Sequence, residues 1–161
     1  MQRVKPHIGS ILSVSGRYDI DPYLVAAFCE VESRFNTYAI RYEPHYRWLV
    51  GENLSPTETI SQKTSWGLMQ VMGAVARERG LRSKYLSVLT EPKTGIRFGC
   101  AHLAWFRDKK GYSGDDMIAA YNAGSPRKKN GIYVNQGYVD KVNRHFQEIK
   151  NLALFDPFVQ I

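Results

Sequence analysis

Two glutamates, Glu30 and Glu32, stand two positions apart in a stretch, CEVESRF, that otherwise has the character of a buried helix. At about 100° per residue, Phe28 and Val31 fall on the buried face of that helix. Glu32 lies at the margin of this face, whereas Glu30 points to the opposite side. The two carboxyl groups are therefore predicted to have different roles.

Glu30 has a simple structural explanation. Arg34 follows it by four residues, and an exposed i,i+4 ion pair on a helix contributes about 0.2–0.5 kcal/mol. We therefore expect Glu30 to be a solvated residue paired with Arg34.

Glu32 is predicted to lie against Val25 and Phe28, where its carboxyl group loses hydration. Loss of hydration disfavours the charged form and raises the pKa of a carboxyl group. An acid that stays protonated near neutral pH is required for glycosidic bond cleavage, because the leaving oxygen must receive a proton. A partly buried structural Glu, satisfied by a backbone group or by Arg, explains the same pattern, and helix geometry alone does not choose between them.

Helix start and stop signals predict the elements that position this residue. Asp21 and Pro22 open one helix, and Gly111 and Gly124 end two others. The predicted helices cover residues 21–34, about 66–79, 90–111, 113–124 and 136–150, with a first one before Gly16. Residues 40–61 lack periodicity and are predicted to form a long loop with room for a small β-hairpin, and long loops in compact domains are often functional.

Four motifs occur in order along the chain: ESRFN from Glu32, SWGLMQ from Ser65, AAYNAG from Ala119 and YVDKV from Tyr138. Together they resemble the soluble lytic transglycosylase family, which shares the goose-type lysozyme fold. The resemblance covers roughly residues 8–148. It implies an all-α, lysozyme-like single domain over residues 1–161 with a catalytic cleft.

The resemblance also implies a reaction, which is cleavage of the β-1,4 bond between N-acetylmuramic acid and N-acetylglucosamine in peptidoglycan. Glu32 matches the family's single catalytic acid and base. It would protonate the glycosidic oxygen and then accept a proton from the muramoyl C6 hydroxyl, which attacks C1 and leaves a 1,6-anhydro end. The resemblance implies no cofactor, no metal and no consumption of water.

Other motif residues are expected to bind the glycan. Gly67 would let a sugar approach the backbone, while Met69 and Gln70 would line the cleft. The remaining expected substrate-binding residues are Ser65, Tyr121, Asn122 and Tyr138. For each of these residues a packing role is the alternative, as it is for the aromatic residues Tyr46, Trp48 and Trp66, which could stack on sugar faces.

The chain also departs from the family pattern. Thr64 and Ser65 stand where Gly-Ala is common, and residues 135–137 replace a usual Glu-Thr. The long loop carries Glu43, a second candidate catalytic residue. If the Glu43 carboxyl lay about 6.5–9.5 Å from that of Glu32, it could position a water for an inverting, hydrolytic muramidase. The alternative for Glu43 is a solvated acid paired with Arg41 or Arg47.

The net charge of +7 indicates attraction to a polyanion, such as nucleic acid, anionic lipid or the carboxylate-rich cell wall. A basic cluster at residues 125–131, SPRKKNG, suggests nucleic-acid binding. The cluster is short, lies in a predicted loop and lacks an aromatic or helix-turn-helix context, so a solvated or wall-attracting patch is favoured. The expected partner is therefore the peptidoglycan glycan strand, with no nucleic acid.

The remaining expectations concern cellular context. The longest apolar run is too short to cross a membrane, so no membrane insertion is expected. The N-terminal residues lack the apolar h-region of a signal peptide, so none is expected there. We therefore expect a monomeric enzyme that reaches the wall by phage delivery, holin release or as part of a virion. Cys29 and Cys100 lie in apolar helical stretches and are expected to be buried thiols.

Overall fold

The computed structural model describes residues 2–156, which are mostly helical. Seven α-helices are present over this range, α1 to α7 in chain order: Ile8–Tyr18, Pro22–Ser33, Pro56–Gln62, Gly73–Glu78, Pro92–Lys110, Gly114–Ala123 and Gln136–Lys150. Five short strands, β1 to β5, accompany them: Ile40–Tyr42, Thr64–Trp66, Val71–Met72, Lys128–Lys129 and Ile132–Tyr133. Two short 3₁₀ turns occupy Lys5–His7 and Leu86–Thr90.

Helix α2 begins and ends close to its predicted limits. The Asp21 carboxylate accepts a hydrogen bond from the backbone N–H of Tyr23 at 2.8 Å, and Pro22 occupies the first turn. The helix stops because Arg34 and Phe35 both adopt left-handed backbone conformations, with φ of 53° and 59°. Arg34 thus leaves the helix, and the predicted Glu30–Arg34 ion pair is not found within residues 2–156.

Three other predicted helices are confirmed and one is longer than expected. Helices α5 and α6 end at Gly111 and Gly124, whose positive φ values of 69° and 76° close the last turn. Helix α7 covers the predicted residues 136–150. Helix α1 continues through Gly16 to Tyr18, so the prediction that it ends before Gly16 is wrong.

The prediction of one helix over residues 66–79 is wrong. This segment forms strand β2, a tight turn, strand β3 and only then the short helix α4. The turn is made by Gly67 and Gln70, which both have positive φ. The stop signal at Gly80 suggested a helix ending there, but the left-handed turn and pairing with β1 override that local signal.

The 40–61 loop contains one strand and one helix. Strand β1 pairs with β2, which lies outside the loop, so the predicted hairpin within residues 40–61 is wrong. The three strands form an antiparallel sheet in the order β1-β2-β3. Helix α3 was not predicted, although Ser55 accepts a hydrogen bond from the Glu58 N–H at 3.2 Å and Pro56 opens the first turn.

The basic cluster 125–131 was predicted to be a loop, but it contributes to the β4–β5 hairpin. Asn130 and Gly131 form its two-residue turn, with φ of 54° and 78°. Two successive left-handed residues match the twist of a hairpin, which explains the Asn-Gly pair at this position.

A continuous hydrophobic core joins the helices. Helix α2 packs against α1 and α7, and α5 packs against α1 and α6. The largest fully buried side chains include Phe28, Phe106 and Leu103. Cys29 and Cys100 are both buried and unpaired, which confirms the expectation of buried thiols. Between residues 2 and 156, none of the helices combines the length and apolar character needed to cross a bilayer.

The β2–β3 turn is held close to the backbone before α5. A Cβ atom added to Gly67 would lie 2.3 Å from the Leu89 carbonyl oxygen, and one added to Gly95 would lie 2.5 Å from the same atom. Gly67 is therefore required by its positive φ and by this close approach. Its buried position does not offer the sugar contact expected from the sequence.

A series of alanine substitutions separates these two constraints. Gly67→Ala combines a clash with an unfavourable φ, Gly95→Ala adds only the clash, and Gly80→Ala, at φ 93° with open space around it, adds only the unfavourable φ. We expect Gly80→Ala to lower the free energy of unfolding by about 1–3 kcal/mol and Gly67→Ala to cost more than that. Urea denaturation measures all three, and equal costs for Gly67→Ala and Gly80→Ala would contradict the close approach.

Candidate active site

The two glutamates of α2 face different cavities, as the helical geometry predicted. Glu30 lines a cavity of about 850 Å³ formed mainly by the N-terminal residues, α7 and the residues after it. Glu32 lines a smaller cavity of about 340 Å³. The smaller cavity is the candidate active site, because Ser65, Gln70 and Tyr121 line it together with Glu32.

Glu32 sits in the last turn of α2, where α7 packs across it. Tyr138, in the first turn of α7, donates a hydrogen bond from its hydroxyl to Oε1 of Glu32. The carboxyl group is half-buried. The interhelical contact thus holds one oxygen of the Glu32 carboxyl in place, and it brings together two residues that are far apart in the sequence.

Burial raises the pKa of Glu32 above its ordinary value. Three residues lower the pKa of Glu32 instead: Tyr138 through its hydrogen bond, and Arg41 and Lys141 through their positive charges. Desolvation is the larger effect, so the protonated form is favoured relative to a free Glu. This is the behaviour required of a general acid that works near neutral pH.

One wall of the cavity is the three-stranded sheet. Arg41 of β1 pairs with Ser65 of β2, and Ser65 pairs with Met72 of β3. Directly opposed residues point to the same face of a sheet, so these three side chains form one row. All three line the Glu32 cavity. The sequence did not indicate Arg41 and Met72 as cavity residues. Their placement depends on which residues of β1, β2 and β3 pair with one another, and no local sequence signal specifies that pairing.

Gln70 lines the cavity, but its side-chain amide is bound within the protein. Its N–H groups donate to the carbonyl oxygens of Ala39 at 2.9 Å and Gly67 at 3.0 Å. Its Oε1 accepts a hydrogen bond from the Ser65 hydroxyl at 3.0 Å. Both of its N–H donors are therefore used to hold the β2–β3 turn, and neither is free for a sugar.

Met69 does not reach the cavity. Its side chain is fully buried and packs against Gly99 of α5, where a Cβ atom would lie 2.4 Å from the Met69 sulfur. Its carbonyl oxygen instead accepts a hydrogen bond from the Tyr121 hydroxyl at 2.8 Å. The prediction that Met69 lines the cleft is wrong, and its backbone positions Tyr121.

Tyr121 and Asn122 come from the last turn of α6. The Tyr121 ring packs on Phe28 with ring centroids 4.6 Å apart. Burial and, to a smaller extent, the charge of Glu32 raise the pKa of Tyr121 well above its ordinary value, so its hydroxyl stays neutral. Asn122 is exposed and accepts a hydrogen bond from the Asn135 amide at 3.0 Å.

Glu43 lines the same cavity as Glu32, and its carboxylate forms an ion pair with Arg41. The Glu43 side chain is 39% exposed and the Arg41 side chain 68%. This is the arrangement expected for a solvated loop acid, and it still leaves Glu43 facing the cavity. Among the aromatic residues, Tyr46 lines this cavity, Trp48 is exposed and Trp66 packs against the core.

A family model described as the transglycosylase SLT domain matches residues 10–142. Two proteins named membrane-bound lytic murein transglycosylase C, from Histophilus somni strains 2336 and 129Pt, are each 28% identical over 160 residues. The alignments cover 91% of this chain and 39% of each relative. The chain therefore spans about two fifths of the length of these curated relatives.

The raised pKa of Glu32 has a consequence for stability. A carboxyl whose pKa is higher in the folded than in the unfolded chain stabilises the fold below its unfolded pKa, and this contribution is lost as pH rises through the folded pKa. Glu32→Gln keeps an acceptor for Tyr138 but cannot ionise. We expect its free energy of unfolding to rise relative to wild type between pH 4 and pH 7, as measured by urea denaturation.

Tyr138→Phe provides the matched comparison for this measurement. It removes the hydrogen bond that favours charged Glu32, so the pKa of Glu32 rises further and the loss of stability with pH becomes larger than in wild type. A pH-independent difference between Glu32→Gln and wild type would contradict the assigned environment.

Proposed function

Since the chain belongs to the transglycosylase SLT domain family, we propose that it cleaves the β-1,4 bond between N-acetylmuramic acid and N-acetylglucosamine as a peptidoglycan lytic transglycosylase. The names of the two relatives support this activity. The observation that carries the proposal is the half-buried Glu32 carboxyl with a raised pKa, placed in a cavity with Ser65, Gln70 and Tyr121.

In the proposed reaction, protonated Glu32 donates its proton to the glycosidic oxygen as the C1–O bond breaks. The resulting carboxylate accepts the proton of the muramoyl C6 hydroxyl, whose oxygen attacks C1. The N-acetyl group of the sugar assists at C1 in place of a second carboxylate. The products are a 1,6-anhydromuramoyl end and a free hydroxyl on the leaving sugar, and Glu32 returns to its protonated form.

Tyr138 has a positioning role in this scheme. Its hydroxyl hydrogen occupies Oε1 of Glu32, so Oε2 is left to carry the catalytic proton. The same hydrogen bond favours the carboxylate that forms during the reaction. Tyr138 thus stabilises the Glu32 carboxylate that forms during the reaction, while burial keeps the protonated form favoured before the reaction begins.

The remaining cavity residues divide into two groups under this proposal. Asn122 and Tyr121 are the polar side chains of α6 that would face the sugar. Ser65 and Gln70 bind each other, and we propose that they support the sheet wall behind the substrate. Gly67 and Met69 support these residues without contacting the sugar. Gly67 allows the β2–β3 turn to form, and the Met69 carbonyl holds the Tyr121 hydroxyl.

Glu32→Gln tests this proposal directly. Because the amide cannot donate a proton to the leaving oxygen, we expect solubilisation of purified peptidoglycan to fall at least about 10²–10⁴-fold. Circular dichroism checks that the fold is retained, and mass spectrometry of fragments released by wild type should show 1,6-anhydro ends. A Glu32→Gln variant that remained lytic would refute the assignment of the acid.

A hydrolytic, inverting muramidase is the second candidate function, and one observation supports it. Glu43 and Glu32 line the same cavity, which is the arrangement needed for one acid to protonate the bond while the other positions a water. Under this alternative the released fragments would have reducing ends instead of anhydro ends.

Glu43→Gln separates the two functions. If the enzyme is a transglycosylase, Glu43 is not needed for proton transfer, and we expect less than about a tenfold loss of lytic rate with unchanged anhydro products. A larger loss, together with reducing ends in the wild-type digest, would establish Glu43 as the base of a hydrolase.

The place of action is also a proposal. The net charge of +7 favours attraction to the anionic wall. We propose that the chain acts on the wall as a monomeric single domain, delivered by a bacteriophage as an endolysin or a virion component.

A further inference from the structure

One face of the β4–β5 hairpin is anchored to helix α6. Lys128 and Tyr133 are directly opposed in the hairpin, so their side chains share this face. The Lys128 ammonium lies 4.4 Å from the centroid of the Tyr133 ring and 3.5 Å from Oδ1 of Asp116. The Tyr133 hydroxyl donates a hydrogen bond to the same carboxylate of α6. The positive charge on this face is therefore compensated, and the hairpin is held in position by two side chains.

The opposite face of the hairpin, which we call the outer face, points to solvent. Lys129 and Ile132 are opposed, and the Val134 N–H donates to the Arg127 carbonyl oxygen at 3.0 Å, which continues the same register. Successive residues of a strand alternate between faces, so these four side chains lie together on the face away from Lys128. All four residues are exposed, Ile132 at 58% and Val134 at 54%.

The outer face combines uncompensated positive charge with exposed apolar surface. In contrast to Lys128, neither Arg127 nor Lys129 forms an ion pair within residues 2–156. Residues 125–135 contain three cations and no acidic residue. Each of the two outer cations is directly opposed to a branched aliphatic residue, so charged and apolar groups adjoin. Single exposed aliphatic residues are common on protein surfaces, but a rigid hairpin that pairs two of them with two free cations is suited to an amphipathic partner.

This combination favours a phospholipid surface over a soluble polyanion. A phosphate-rich polymer in solution is bound by cations alone and gains nothing from Ile132 and Val134. At an anionic bilayer, cationic side chains bind the headgroup phosphates, and aliphatic side chains enter the boundary between headgroups and acyl chains. The net charge of +7 adds long-range attraction to the same surface. The outer face is therefore complementary to an anionic bilayer in both charge and apolar surface.

We propose that the outer face is a docking site for anionic phospholipid bilayers. Arg127 and Lys129 bind headgroup phosphates, while Ile132 and Val134 lie in the interfacial layer. The contact is peripheral and requires no membrane-spanning helix. Because the hairpin is anchored to α6, and α6 also lines the Glu32 cavity, docking gives that cavity a defined orientation to the membrane.

Vesicle sedimentation with the full chain tests this site. We expect wild type to bind vesicles of phosphatidylglycerol and phosphatidylcholine in equal parts more tightly than vesicles of phosphatidylcholine alone. Lys129→Gln should weaken binding to the anionic vesicles about fivefold, since one cation near such a surface contributes about 1 kcal/mol. The double variant Ile132→Ser/Val134→Ser should weaken this binding about tenfold, because it removes the apolar contact.

Two matched variants control for general effects of charge and apolar exposure. Lys93→Gln removes an exposed cation of α5, and Ile60→Ser removes an aliphatic residue of α3 that is 54% exposed. Both positions lie outside the hairpin, so both variants should bind anionic vesicles like wild type. Thermal melting checks that every variant is folded. Solubilisation of purified, membrane-free peptidoglycan should be unchanged in Lys129→Gln and in the double variant, because none of these residues lines the Glu32 cavity.

Three results would overturn the docking site. The first is equal binding of wild type to both kinds of vesicle, and the second is full vesicle binding by the Ile132→Ser/Val134→Ser variant, which would show a contact made by charge alone. The third is a loss of binding in the two control variants as large as that in the hairpin variants. Wild type that binds anionic vesicles but does not solubilise peptidoglycan would instead refute the proposed function and support the docking site.

Discussion

The energetic balance at the Glu32 carboxyl is the constraint on which the site depends. Burial between α2 and its neighbours disfavours the charged form, while the Tyr138 hydroxyl and the charges of Arg41 and Lys141 favour it. These groups come from a helix far along the chain and from the first strand of the sheet. The packing of α7 on α2 and the pairing of β1 with β2 are therefore requirements of the proposed chemistry as well as of the fold.

The parts of the structure that depend on local signals were predictable from the sequence. Asp21 and Pro22 mark the start of α2, and Gly111 and Gly124 mark the ends of α5 and α6, because caps and left-handed stops act within one turn. The separation of Glu30 and Glu32 onto opposite faces followed from helix geometry alone. Ser55 before α3 and Asn130 in the β4–β5 turn are equally local signals, and each marks an element that was not predicted.

The remaining features depend on contacts between distant residues. The GLMQ segment is a turn because Gln70 bonds to the Ala39 carbonyl and because Gly67 meets the Leu89 carbonyl. No window of sequence around residue 68 contains either partner. The same limitation explains why Met69 was expected in the cleft and why Arg41 and Met72 were not, since both assignments require the strand register.

The carbonyl of Leu89 has neighbours on two sides, because the absence of a Cβ at Gly67 and at Gly95 lets both backbones approach it. It fastens the β2–β3 turn to the first turn of α5, and the same rigid helix carries His102 and Trp105 further along. Displacement of the turn would thus disturb its packing against the first turn of α5. Substitutions at Gly67 and Gly95 are consequently expected to be non-additive in their effect on stability, because both would press on the same carbonyl oxygen.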